Sequence, residues 1–193
     1  MGLLHRMIPP RPTASRFSFP PPGKYAPIME KQHNRSISPD ATEGAEVPLD
    51  IVEVGIERVD TIRRLNVEIF DDEHIIKTFD RDDLLMLLAR SAGTVVGFKL
   101  GYQLDAATFY SAKGGVRPAY RRNGIARALL YAMLDVVEQR DYERFVYDTF
   151  PNKHPGMTVL GLDEGFEVVR AGYSTQYQDY RLRFEWTFEE ESA

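Results

Sequence analysis

The run Gly114-Gly115-Val116-Arg117-Pro118-Ala119-Tyr120-Arg121-Arg122-Asn123-Gly124-Ile125-Ala126-Arg127 constrains this chain more than any other stretch. It carries the end of an apolar strand, a proline-marked turn and the start of a long amphipathic helix. The first N–H groups of a helix have no intrahelical partner and sit at the positive end of its dipole, so such a start receives anions. Gly124 and the small Ala126 let the backbone approach a ligand closely, and Arg121, Arg122 and Arg127 add positive charge. The segment therefore reads as a phosphate or pyrophosphate cradle. It is not a Walker loop, because no Gly-Lys-Ser/Thr follows, and it does not match G-x-G-x-x-G.

The flanking sequence alternates strand and helix patterns. Ile51 to Arg58 alternates apolar and polar residues as a half-buried strand does. Asp60 is placed to cap a helix with Ile62, Leu65 and Ile69 on one face, and the polar Asp71-Asp72-Glu73-His74 follows as a loop. Leu84 to Ala89 and Thr94 to Tyr102 read as a hairpin turning at Ala92-Gly93. Ala106 to Val116 is a further strand, and its Gly114-Gly115 pair signals a bulge or a close approach by a ligand. From Gly124 to about Gln139, Ile125, Leu129, Leu130, Met133, Leu134 and Val137 keep helical spacing. A strand at Tyr142 to Phe150, a helix at Pro155 to Asp163 and strands at Phe166 to Ala171 and Tyr180 to Phe188 complete the order. That order predicts an α/β (α+β) domain with a mixed, mostly antiparallel sheet of six or seven strands and helices on both faces.

Composition narrows the chemistry. No cysteine is present, which excludes disulfides, thiolate zinc sites and a cysteine nucleophile, and no metal centre is expected. A net charge of -5 gives no reason to expect nucleic acid or an anionic membrane as partner. No apolar run reaches the roughly 20 residues that span a bilayer, and a cytoplasmic location is expected. Prolines 9, 10, 12, 20, 21, 22 and 27 crowd the first part of the chain. Residues 1–47 are therefore read as a disordered tail and 48–193 as the folded domain. The acid-poor beginning also has a vague transit-peptide character, and Met29 is an alternative start.

The turn resembles the signature Q/R-x-x-G-x-G/A of the GNAT superfamily of N-acetyltransferases, through Arg121-x-x-Gly124-x-Ala126 and the lead-in Val116-x-Pro118-x-Tyr120. Glu164-Gly165-Phe166 is similar to the end of that family's penultimate helix. The resemblance runs from about Ile51 to Phe188. It implies a splayed sheet that takes acetyl-CoA as cosubstrate between the strands ending near Val116 and Phe150. Gly114, Gly115 and Val116 would meet the pantetheine arm as an added strand. Arg121, Arg122, Asn123, Gly124, Ile125, Ala126 and Arg127 would grip the pyrophosphate, with Asn152 also on the cofactor. The implied reaction is direct transfer of an acetyl group to an amine, either a small molecule or a peptide, protein lysine or N-terminal acceptors included. A non-catalytic acyl-CoA-binding module is the alternative, and a homodimer is compatible with both.

The chain departs from the family at one position. Many members carry a tyrosine five residues before the phenylalanine of Gly-Phe, as acid for the leaving thiolate; here that position is Gly161, and His154 stands where an asparagine is common. Tyr110 and Asp148 are the candidate acid and base, each with a packing, turn or capping role as its structural alternative. Asp71-Asp72-Glu73 reads either as an attractor for a cationic amine or as a solvated loop, and His74 as a base or a surface histidine. Tyr173, Tyr177 and Tyr180 read as pocket lining or as strand packing.

Overall fold

A computed structural model describes residues 49–188. The proline-rich stretch 1–47 lies outside the described residues. Seven strands form one sheet in the order β1-β2-β3-β4-β5-β7-β6. Their ranges are β1 Leu49–Glu53, β2 Leu85–Ser91, β3 Thr94–Gln103, β4 Thr108–Val116, β5 Arg144–Thr149, β6 Glu167–Ser174 and β7 Asp179–Thr187. Only β4 and β5 pair in parallel; every other neighbouring pair is antiparallel. The helices are α1 Val59–Phe70, α2 Ile125–Gln139 and α3 Pro155–Asp163.

The sheet separates two apolar cores. On one face α2 buries Ile125, Leu129, Leu130, Met133, Leu134 and Val137, the residues whose spacing announced the helix, against Ile51, Leu87, Phe109, Phe145 and Phe184. Met157 and Leu160 of α3 pack on the same face. On the other face α1 places Val59, Ile62 and Leu65 against Val52, Met86, Leu88, Phe98 and Leu100. Its partners come from the β1–β4 side, with Ile69 and Phe70 against Gly115, so α1 covers only that half of the face.

Two expected boundaries move. The first strand ends at Glu53, and Ile56–Arg58 is a 3₁₀ turn, because Val54 spends its N–H on Met86 and Ile56 faces solvent. Asp60 is not the cap of α1: the helix begins one residue earlier and Asp60 pairs with Arg63 on its exposed side. In β4 the unpaired extra residue is Ala112, between Leu100–Lys113 and Gly101–Ser111. Gly114 and Gly115 stay in register opposite Lys99 and Phe98. The glycines serve close packing: a Cβ on Gly115 would stand 2.8 Å from the Phe70 ring, and one on Gly114 would stand 3.2 Å from Lys99 Cγ.

Candidate active site

The β4–β5 ladder is short. It runs from Thr108–Arg144 to Ser111–Tyr147 and then stops. Beyond that apex β4 continues along β3 to Val116, while β5 continues along β7 to Thr149, so the two strands diverge. Arg117 gives its N–H to Val96 of β3. Since backbone groups alternate sides along a strand, those of Val116 and Gly114 point into the gap. The Val116 carbonyl accepts a bond of 3.1 Å from Arg121 Nε, which folds the turn back under the strand end.

At the mouth of the gap stands the start of α2. Gly124 occupies its N-cap at φ 73°, and Arg122 is also left-handed at φ 68°. No side chain caps the helix, and a Cβ on Gly124 would meet no atom within 4 Å. The first N–H groups of α2, from Ile125 through Arg127, therefore face open space, where an anion fits. The side chains differ in availability. Arg122 is exposed and makes no ion pair among the described residues. Arg127 is turned to Glu164, which Tyr131 also binds. Asn123 donates to the Tyr120 carbonyl, and Asn152 donates to Asp179 at 2.7 Å. The turn thus presents mainly backbone, with Arg121 as its brace.

Tyr110 and Asp148 meet on the face opposite α2. The Tyr110 hydroxyl donates to Asp148 Oδ2 at 3.3 Å, and Arg183 of β7 grips both carboxylate oxygens at 2.8 and 2.9 Å. Burial, and after it the Asp148 charge, pushes the Tyr110 phenol well above its ordinary range. Asp148 neither caps a helix nor makes a turn; it joins β5 to β7. The remaining candidates are less central. Asp72 pairs with Lys113 at 2.8 Å, and that bond, followed by the His74 N–H, holds its carboxyl below the usual range. His74 contributes its carbonyl to Lys113 and Asn66. Tyr173 packs edge-on against Tyr180, and Tyr177 packs against Phe150.

Sequence reasoning assigned no role to Tyr147, His154 or Lys99. The hydroxyl of Tyr147 lies 1.9 Å from the point where a Cβ on Gly161 would stand, and it donates to the Met157 carbonyl at 3.3 Å. A phenol from β5 thus occupies the room that Gly161 leaves. His154, at the start of α3, packs edge-on against Phe70 of α1 with centroids 5.9 Å apart, and burial, reinforced by Lys153, lowers its pKa. Lys99 is 6% exposed, has no hydrogen-bond or ion-pair partner among the described residues, and reaches within 6.0 Å of the Phe145 ring centre across β4. Desolvation lowers its pKa to about 8. An apolar β-strand alternation with one lysine in it was the available signal.

Comparison with known proteins agrees with this geometry. The acetyltransferase (GNAT) family model matches residues 56–157. No curated protein sequence matches significantly. Among solved structures, the ribosomal-protein-S18-alanine N-acetyltransferase of Escherichia coli superposes with a TM-score of 0.64 at 16% identity, covering 76% of this chain and 99% of that one. An IAA acetyltransferase from Bacillus cereus gives 0.64 at 15% identity, over 73% and 100%. A GNAT family acetyltransferase from Elizabethkingia anophelis with acetyl-CoA bound gives 0.61 at 15% identity, over 72% and 98%. At these identities the likeness speaks to the fold. The family match spans more than half of the chain and includes the strand, turn and helix of the cradle. The chain belongs to the GNAT acetyltransferase family, whose members use acetyl-CoA as cosubstrate.

Proposed function

We propose that this protein is an N-acetyltransferase that transfers an acetyl group from acetyl-CoA directly to an amine. The observation that carries the reading is the gap between β4 and β5, which ends in a helix start with no capping side chain. Gly114 and Val116 would bind the pantetheine amides, and the N–H groups around Gly124 the pyrophosphate. Acetyl-CoA supplies an activated thioester whose carbonyl would lie near the apex at Ser111 and Tyr147. The bulged backbone of β4 at Ala112 is the nearest source of N–H groups for a developing oxyanion.

Proton movement falls to the face of Tyr110. The acceptor amine loses a proton and the departing thiolate gains one. With both oxygens held by Arg183, Asp148 acts by orienting Tyr110, and a water beside that pair completes the route. A second reading, a coenzyme A-binding module without turnover, is favoured by one observation: Tyr147 seals the position of the usual tyrosine with a hydroxyl already bonded to Met157. Coenzyme A release in the presence of a panel of small amines and peptide N-termini separates the two, since only the enzyme releases it. Gly124→Asn tests the cradle itself. Asparagine tolerates the left-handed backbone but puts a side chain over the N–H groups. A rise in coenzyme A Kd of about tenfold or more, about 1.4 kcal/mol, with an unchanged melting temperature is expected. An unchanged Kd rejects the site.

A further inference from the structure

The face of the sheet opposite α2 and α3 is covered by α1 only over its β1–β4 half. Over β5, β7 and β6 no helix of the described residues lies on it. An acceptor approaching the apex therefore comes across Asp148, Arg183, Arg181 and Arg170. These side chains share one face. Asp148 is opposite Arg183 in the β5–β7 ladder, and Arg170 and Gly172 are opposite Arg183 and Arg181 in the β6–β7 ladder. Arg170, Gly172, Tyr173, Arg181 and Arg183 line a cavity of about 80 Å³, room for a few waters or one carboxylate or phosphate group.

Three arginines line this cavity and no carboxylate does. Asp148 is committed to Arg183 through two bonds, and its contact with Arg181 is long, at 3.8 Å. Arg170 makes no ion pair among the described residues. Of the other acids on this face of β7, Asp179 is held by Asn152, and Glu185, opposite Glu167, stands two residues beyond Arg183 and acts on that guanidinium rather than on Arg170 or Arg181. Gly172 leaves the space open, since a Cβ there would meet no atom within 4 Å. Two guanidinium groups thus face a small concave site with planar donors suited to an oxyanion.

Resting on the acetyltransferase reading above, we infer that the acceptor carries an anionic group, a carboxylate or a phosphate, which Arg170 and Arg181 bind over Gly172 while the amine reaches the apex. The pocket is two strands from β5, about 10 Å, so the amine and the anion of the acceptor are several bonds apart. A polycationic amine would meet two arginines on this path.

Probes of equal length test this. The full chain, saturated with coenzyme A so that the cradle is filled, is titrated with 6-aminohexanoate, 5-aminopentyl phosphate, 6-aminohexanol and 1,6-diaminohexane. The arginine Nε–H NMR signals, assigned by single substitution, give the readout. Saturable shifts of Arg170 and Arg181 with one or both anionic probes are expected, at least tenfold tighter than with the neutral or dicationic one, and the stronger of the two identifies carboxylate or phosphate. Gly172→Leu, whose Cβ would meet no atom within 4 Å, puts a side chain into the cavity and should abolish the shifts while leaving coenzyme A affinity intact; Arg170→Gln should raise KM for the anionic amine with kcat nearly unchanged. Equal or stronger binding of diaminohexane, or no shift with either anion, overturns the inference. Loss of coenzyme A binding in the wild-type chain would instead reject the cradle, and the arginine titration still reads the pocket without it.

Discussion

The two ends of the proposed acetyl-transfer path are built differently. The cradle at the start of α2 is a backbone device: a left-handed Gly124, the uncapped N–H groups after it and Arg121 bracing Val116. The opposite end is a side-chain device, in which Tyr110, Asp148, Arg183, Arg181 and Arg170 come from four strands. A backbone site depends on local conformation and tolerates exchange of its exposed side chains. A side-chain site depends on the identity of its members, Tyr110 for turnover and Arg170 and Arg181 for acceptor affinity. Substitutions that touch the second end should therefore have the larger effects on turnover, and those on the first should act through coenzyme A affinity.

Tyr110→Phe gives the largest expected effect. It keeps the ring that packs edge-on against Tyr102 and removes only the hydroxyl bound to Asp148. A fall in kcat of about 10²- to 10⁴-fold is expected if that hydroxyl moves a proton, with coenzyme A affinity unchanged. Wild-type turnover would remove Tyr110 from the proton route and leave solvent in its place.

Lys99 is buried on the α2 face of β3 with no hydrogen-bond or ion-pair partner among the described residues. Its folded pKa, about 8 against 10.5, means that the folded state binds the proton more weakly than the unfolded chain does. Stability is therefore greatest above pH 10.5, falls as pH drops from there towards 8, and is flat below. The difference is about 3 kcal/mol at 1.36 kcal/mol per pH unit. Lys99→Met should accordingly raise the unfolding free energy at pH 7 by a comparable amount, and the pH-dependent rise between 8 and 10.5 should vanish. Chemical denaturation across that range is the measurement; a parallel pH profile in the variant would show that the ammonium is solvated.

Gly161 sharpens the contrast on the α3 side. A Cβ there would collide with the Tyr147 hydroxyl and stand 2.8 Å from Phe184. Gly161→Ala should destabilise by about 1–3 kcal/mol, as overpacking does. Adding Tyr147→Phe should recover part of the loss, because it deletes the nearest atom. No recovery in the double variant would mean that Phe184 is the obstacle. The smallest effect is expected for a chain beginning at Pro48, whose melting temperature should match that of the full chain if 1–47 adds no packing; a clear drop would assign the tail to the domain.

Element order and the turn before α2 were legible in the sequence. Both are written in consecutive residues: the helical spacing of Ile125 to Val137, the hairpin at Ala92-Gly93, and the Pro118 to Gly124 turn before an uncapped helix. Local backbone preferences and one-dimensional apolar periods decide such features, and they hold in any tertiary setting. Boundaries near Gly55 and Asp60 shifted because solvent exposure and one backbone bond to Met86 outweighed the alternation.

The grouping of Tyr110, Asp148 and the arginines on one face was decided only by tertiary structure. β7 inserts between β5 and β6, and that order brings Arg183 to Asp148 and Arg170 to Arg183 over gaps of 35 and 13 residues in the chain. The same non-local packing leads the Tyr147 hydroxyl into the space at Gly161 and buries Lys99 beneath α2. A sequence lists these side chains without their facing. Which of them share a surface follows from strand order and register, and those are fixed by burying both apolar faces at once rather than by any local run of residues.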